Sequence, residues 1–342
     1  MDNNAFQGVL HEFAETPEFE KLGAGRFQRA EKVREFERRY SKLQVHDLHG
    51  DGPKKSARVY IKIYKNVYKK SPEKLRLLIE REYDSNLFWA DNLEAYEEFS
   101  AIRPLFQSVP RRAIITKAEI GKNLGDLVRR RLRYTRSREK HESLQRHMFN
   151  VGRLLKIMQE CEASEKRFDF SELVEDVDLR MRILVDEPTA NFGENLRRNV
   201  LNFYEKNIPK LEQNPLPICY LHRDFMMANV LVNRSKTIIH DFTKMDEGSR
   251  MFDLTRFYHH LGLLKYKPTY PRAAVSRLQE SFLRGYDYES GVGDTLFNFF
   301  LLRHYMTHFK GLVRDSRNSV KARLYNKWVM KNHVENIQRI VL

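Results

Sequence analysis

The chain has 342 residues, 41% of them apolar, and carries a formal net charge of +15. That length and apolar content exclude a disordered chain and are enough for two packed lobes or one large domain. The only two cysteines, Cys161 and Cys219, exclude a disulfide framework and show no metal-type spacing, which fits a reducing, cytoplasmic setting.

The opening residues Met1-Asp2-Asn3-Asn4-Ala5 lack a basic stretch leading into an apolar one, and no window approaches the roughly 18 apolar residues of a membrane span. Neither export nor a transmembrane anchor is expected. The positive charge favours acidic partners: phosphates, nucleic acid or an anionic membrane surface. Clusters such as Arg129-Arg130-Arg131-Leu132-Arg133 and Lys65 to Lys70 read as solvated faces or loops.

In chain order, a strand pair is expected from about Phe27 to His46, with its turn near Glu35 to Arg38. His46-Asp47-Leu48-His49 reads as a Gly/Asp-rich surface loop and not as a metal site. From Arg58 to Lys65 the chain alternates, placing Val59, Ile61 and Ile63 on one strand face and Tyr60, Lys62 and Tyr64 on the other. Ser71-Pro72 reads as a helix start, with serine as the cap and proline in the first turn. The following helix puts Leu75, Leu78, Ile79, Glu82, Asn86 and Trp89 on one stripe, so Glu82 points toward the core.

Ser100 to Phe106 and Arg112 to Ala118 read as two further strands flanking a turn that contains Pro110. Glu119-Ile120-Gly121 reads as a hinge, because the pattern beyond it turns helical. Val151, Leu154, Leu155 and Met158 mark one amphipathic helix, and Phe297 to Tyr305 lies in another. There is no internal repeat, low-complexity tract or Gly/Ser linker. His259 and His260 are adjacent on a helix and cannot share a ligand direction. His304 and His308, four apart, read as packing or pocket-lining residues.

The informative segment is Tyr220-Leu221-His222-Arg223-Asp224-Phe225-Met226-Met227-Ala228-Asn229-Val230-Leu231-Val232, followed by Thr237-Ile238-Ile239-His240-Asp241-Phe242. Two short β-type runs flank the turn Asn233-Arg234-Ser235-Lys236, so an antiparallel pairing brings Asn229 and Asp241 to the same end. Asp224 lies on the loop just before. Oxygen donors gathered in this way suit a hard cation such as magnesium. Phosphoryl transfer needs metal to neutralise phosphate charge and a separate aspartate to accept the proton of the attacking hydroxyl.

This run resembles the catalytic loop and metal-binding Asp-Phe of the kinase-like superfamily. That superfamily includes protein kinases, aminoglycoside and choline phosphotransferases, and lipopolysaccharide core sugar kinases. The resemblance implies an α+β, two-lobed protein-kinase-like fold: a small antiparallel β-sheet N-lobe with one helix over residues 1–119, and a larger, mainly helical C-lobe over 120–342. It implies ATP and Mg2+ as cofactors, Asp224 as catalytic base, Asn229 and Asp241 as metal ligands, and His222 as a support for the loop. Lys62 is similar to the strand lysine that holds the nucleotide phosphates, with Glu82 as its ion-pair partner and Glu94 as a rival, and Glu119 falls among the nucleotide-binding positions. Asp253 in Met251-Phe252-Asp253-Leu254 matches the aspartate that braces the catalytic loop. Thr243 stands where protein kinases carry glycine. Gly23-Ala24-Gly25 lacks the further spaced glycines of their phosphate loop and reads as a plain turn.

Only eleven residues separate Asp241 from Asp253, too few for the peptide-docking segment of a protein kinase. A small-molecule or glycan acceptor is therefore expected. Phe282-Leu283-Arg284-Gly285-Tyr286 resembles a helix of the phosphotransferase families. His222-Arg223-Asp224-Phe225 resembles the lipopolysaccharide core kinases, whose acceptor is a sugar of an envelope glycan or glycolipid precursor, with peripheral contact to an anionic membrane. The alternatives are a Ser/Thr protein kinase, in which Arg223 gathers a phosphorylated loop, and a non-catalytic basic protein that binds nucleotide or nucleic acid. No basic stripe interleaved with aromatics supports nucleic-acid binding.

Overall fold

The computed structural model describes residues 3–54, 56–133, 137–160, 163–214, 216–316 and 320–342; Cys161 lies outside them. The chain divides into two compact units, one formed by residues up to Leu124 with Asn229–Met245, the other by Gly125–Ala228 with Asp246–Leu342. No helix among the described residues is long and apolar enough to cross a membrane.

The first unit opens with α1 (Asn3–Ala14) and the single turn α2 (Pro17–Glu20). Its main sheet joins β1 (Phe27–Glu37), β2 (Ser41–Gly50), β3 (Ser56–Tyr64), β5 (Pro104–Ser108) and β6 (Ala113–Lys117) in the order β1-β2-β3-β6-β5, all antiparallel. The alternation of β3 decides what covers each face. Val59, Ile61 and Ile63 pack with Ala113 and Ile115 against Phe6, Val9, Leu10 and Phe13 of α1. On the opposite face, Tyr64 and Ile114 pack with Leu75 and Ile79 of α3 (Pro72–Asn92). Each large apolar side chain so buried contributes about 1.5–3 kcal/mol. Helix α3 starts as expected: Pro72 is in the first turn, and the Ser71 side chain accepts the Lys74 N–H at 3.4 Å.

Four details differ from the sequence reading. The run Ser100 to Phe106 is two strands, not one. The chain breaks at Ile102-Arg103, before Pro104, and β4 (Phe99–Ala101) joins a different sheet. His46 to His49 lie inside β2, not in a loop, and His46 is buried with its Nε2 2.8 Å from Gln44 Oε1. The β1–β2 turn comes later than expected, closed by the Arg38 N–H donating to Ser41 O at 2.9 Å. Helices α1 and α2 were not expected at all.

The smaller sheet of this unit has the order β4-β11-β10-β7, with β7 (Lys122–Asn123), β10 (Val230–Val232) and β11 (Thr237–Ile239). The hairpin β10–β11 has the expected antiparallel register, Val230 opposite Ile239 and Val232 opposite Thr237. Its Asn233-Arg234-Ser235-Lys236 turn is held by Asn233 Oδ1, which accepts from the N–H groups of Ser235 and Lys236.

The second unit is mainly helical: α4 (Leu124–Leu132), α5 (Arg138–Glu160), α6 (Phe170–Val185), α7 (Glu194–Leu211), α8 (Met251–Gly262), α9 (Arg272–Tyr286), α10 (Thr295–Asp315) and α11 (Val320–Val341). A three-stranded sheet joins β8 (Ala163–Arg167), β9 (Pro217–Leu221) and β12 (Asp246–Ser249) in the order β12-β9-β8. Helices α5 and α9 approach so closely that a Cβ on Gly285 would lie 2.0 Å from Phe149 O, and one on Gly152 2.2 Å from Phe282 O. The glycine of the Phe282–Tyr286 motif is thus a packing requirement.

Candidate active site

The first unit brings three of the sequence-selected side chains together. Lys62 Nζ donates to both carboxylate oxygens of Glu82, at 2.7 and 2.9 Å, and lies 3.5 Å from Asp241 Oδ1. Glu82 is 4% exposed, so its charge needs this partner. Glu94, the rival, instead lies 3.5 Å from Arg103. Burial pulls the Lys62 ammonium down, but the carboxylates of Glu82 and Asp241 outweigh it and hold Lys62 above its ordinary value. The Tyr64 hydroxyl also donates to Glu82.

Asp241 follows β11 in a left-handed conformation, φ 71°, which Asp tolerates better than most residues. Thr243 Oγ1 donates to its carboxylate at 3.3 Å. Asn229 ends the 3₁₀ turn Met227–Asn229, is buried, and accepts the His240 N–H through its backbone oxygen at 3.1 Å. The hairpin therefore sets both residues at one end, as its register requires. Arg81 reaches across this unit to donate to Met245 O, beyond Asp241. Glu119 lies between β6 and β7, half-buried, next to Ile120, whose oxygen accepts from Asn233 Nδ2 at 2.7 Å.

The second unit holds the loop after β9. The buried Asp253 accepts the His222 backbone N–H at 2.7 Å through Oδ2. His222 Nδ1 in turn accepts the Asp224 N–H at 3.3 Å. Burial raises the Asp253 carboxyl above its ordinary value, against the lowering pull of His222, Arg256 and Arg223. Arg223 is itself left-handed, φ 59°. Its guanidinium donates to Glu247 O at 3.0 Å and Asp246 at 3.3 Å and stacks over Phe252 at 4.6 Å. The cation that the protein-kinase alternative would use to gather a phosphorylated loop is thus engaged with β12, a strand within the short run from Asp241 to Asp253.

Sequence reasoning missed one residue here. Arg256 Nη2 donates to Asp224 Oδ1, on a side chain 24% exposed facing one 19% exposed. His260, one turn further along α8, is pushed down to about 4 by burial and by Arg256, with Asp224 pulling the other way, and is neutral at pH 7. Arg256 lies three residues after the selected Asp253 on the same helix, which is the only sequence signal for it.

A half-buried lysine paired with a buried glutamate beside an aspartate in one unit, and a braced His-x-Asp loop in the other, define a protein-kinase-like phosphotransferase. The model of the phosphotransferase enzyme family matches residues 121–293, half of the chain, and the chain belongs to that family. Among solved structures, it is similar to a choline kinase from Cryptosporidium parvum (11% identity, 99% of this chain and 96% of that one, TM-score 0.56). It is also similar to the amicoumacin kinase hAmiN in complex with AMP-PNP, Ca2+ and amicoumacin (14% identity, 96% and 95%, TM-score 0.53). A third is the streptomycin–ATP complex of the aminoglycoside phosphotransferase APH(2″)-IIa (13% identity, 93% and 96%, TM-score 0.52). At these identities the likeness is one of fold. A comparison with curated proteins found no sequence match.

Proposed function

We propose that the chain transfers the γ-phosphate of ATP to a hydroxyl of a small molecule or glycan, with a sugar of an envelope glycan or glycolipid precursor as the acceptor. The observation that carries the reading is Lys62, clamped by Glu82 at 2.7 Å and set 3.5 Å from Asp241, a cation held ready between two carboxylates. A lysine so held suits nucleotide phosphates, whose charge it meets without losing its own. Adenine nucleotides in the solved amicoumacin and aminoglycoside kinase complexes support ATP as the donor.

In this reading Asp224 accepts the proton of the acceptor hydroxyl, and Arg256 fixes the carboxylate that does so. His222 and Asp253 position the loop, and Glu119 meets the nucleotide. Asn229 and Asp241 supply an amide and a carboxylate oxygen, a donor set that fits Mg2+. The ion, when bound, neutralises phosphate charge. The sugar acceptor is supported by the His222-Arg223-Asp224-Phe225 spelling. The charge of +15 would draw an anionic acceptor, or an anionic membrane carrying it, to the surface.

The test is ATP consumption against a panel of sugars, glycolipid precursors, aminoglycosides and proteins. Turnover with a sugar or glycolipid precursor is expected. Turnover only with aminoglycosides replaces the acceptor, turnover only with proteins replaces the class, and none with any member overturns the reading.

A further inference from the structure

Helices α8, α10 and α11 bring together three histidines that phosphoryl transfer does not use. One ring nitrogen from each of His259, His308 and His333 lies within 4.8 Å of the other two. His308 Nδ1 and His333 Nε2 are 2.8 Å apart. Ring centroids of His259 stand 5.7 Å from His308 and 5.8 Å from His333. We propose that His259, His308 and His333 form a binding site for one divalent transition-metal ion of the zinc class, which ties the C-terminal helix to α8 and α10.

The chemistry of the donors selects the ion. Three imidazoles without a carboxylate suit Zn2+, Co2+, Ni2+ or Cu2+ and not the hard cations Mg2+ and Ca2+, which take oxygen. Tetrahedral bonds of about 2.0–2.1 Å set ligand nitrogens about 3.4 Å apart, so small ring shifts convert the present spacing into coordination.

The surroundings fit as well. His259 Nε2 is buried and lacks a hydrogen-bond partner among the described residues, an arrangement an ordinary packed histidine avoids. The Tyr266 hydroxyl lies 3.4 Å from His333 Nδ1 and accepts from Asn336 Nδ2 at 2.8 Å. A proton held on His333 Nδ1 by Tyr266 leaves Nε2 with its lone pair toward His308, the arrangement metal-bound histidines obtain from an outer partner. His308 is only half-buried, which gives an ion an entry path and water a fourth position. His304, though its ring stacks 6.2 Å from His259, is committed to Phe252 O at 3.0 Å and stands outside the set.

The experiment uses the full chain, stripped with chelator and titrated with Co2+ in excess Mg2+, so that oxygen sites are filled. One equivalent of Co2+ should give the visible absorption of a tetrahedral site, and the melting temperature should rise with added Co2+ or Zn2+. His308→Ala should lose the band. Tyr266→Phe should weaken binding about 10–100-fold, the usual effect of removing an outer partner. Asp241→Ala should keep the band. No band and no rise in melting temperature with the wild-type chain would overturn the proposal, as would a band kept by His308→Ala or lost with Asp241→Ala. Should His308→Ala fail to fold, Tyr266→Phe decides: affinity equal to wild type means the cluster is only a hydrogen-bonded pair packed among aromatic rings.

Discussion

Arg256 donates from its guanidinium to the carboxylate of Asp224, so the proposed catalytic base is held by a cation from α8. The same helix carries Asp253, which accepts the backbone N–H of His222 at 2.7 Å. One helical turn therefore positions both ends of the loop: Asp253 sets its backbone, and Arg256 sets the side chain that must face the acceptor hydroxyl. Arg256→Ala is expected to lower kcat about 10²-fold, the scale of a misplacement near 1 Å, with nucleotide affinity nearly unchanged. Arg256→Lys should recover part of the loss. Steady-state kinetics with separate nucleotide titrations checks this, and an unchanged kcat would show that the pair is only structural.

Asp224 and Asp241 are assigned different tasks, and their substitutions should separate. Asp224→Ala removes the proton acceptor and is expected to lower turnover about 10²–10⁴-fold while leaving nucleotide affinity close to wild type. Asp241→Ala removes the carboxylate 3.5 Å from Lys62 and should abolish magnesium-dependent nucleotide binding. Calorimetric titration of nucleotide with and without Mg2+ distinguishes the two. Equal loss of binding in both variants would mean that the roles are exchanged.

The Lys62–Glu82 clamp has a third member in Tyr64, whose hydroxyl donates to Glu82. Tyr64→Phe leaves part of a buried carboxylate unsatisfied and should cost about 1–3 kcal/mol. Lys62→Ala strands Glu82 altogether and should cost more, about 3–5 kcal/mol. Urea unfolding of the two variants should rank them in that order. Tyr64→Phe should also raise the KM for ATP, because Glu82 no longer holds Lys62 in a single geometry.

The hairpin and the face each clamp residue occupies were legible in the sequence because local rules set them, while the pairing of Lys62 with Glu82 rested on the resemblance to kinases. Alternation along β3 put Lys62 opposite the Val59, Ile61 and Ile63 face, 3.6 periodicity put Glu82 on the α3 stripe, and a four-residue turn fixed the β10–β11 register. Features set by tertiary packing were not legible. His46 looked like part of a loop because Asp47, Gly50 and Gly52 surround it, yet pairing on both sides makes the segment a strand. The break at Pro104 could have been read, since proline favours an extended residue before it and lacks a ladder donor. Helix α1 carried a readable signal as well: Phe6, Val9, Leu10 and Phe13 fall at i, i+3, i+4 and i+7, and all are buried. Tyr64 could not be chosen from spelling, and Arg256 only through its place three residues after Asp253, since the partner of a given carboxylate is set by tertiary packing.

Asp253 gives a pH-dependent test of the loop brace. Burial raises its carboxyl in the folded chain above the ordinary 3.8, against His222 first and then Arg256 and Arg223. Below that ordinary value both folded and unfolded chains hold the proton, so the carboxyl makes no difference to stability. As pH rises, the unfolded chain releases its proton first, and the folded state loses stability until its own higher value is passed. Asp253→Asn cannot ionise and keeps an oxygen for the His222 N–H, so its stability relative to wild type should increase as pH rises from about 4 toward neutrality, the window opened by the unfolded carboxyl. Asp253→Ala, which cannot ionise either but lacks the acceptor, should stay about 1–3 kcal/mol less stable than Asp253→Asn at every pH. Urea unfolding at several pH values measures both. A difference between Asn and wild type that stays flat or runs the other way would mean that Asp253 is held as a well-compensated anion, its charge balanced by Arg256 and Arg223.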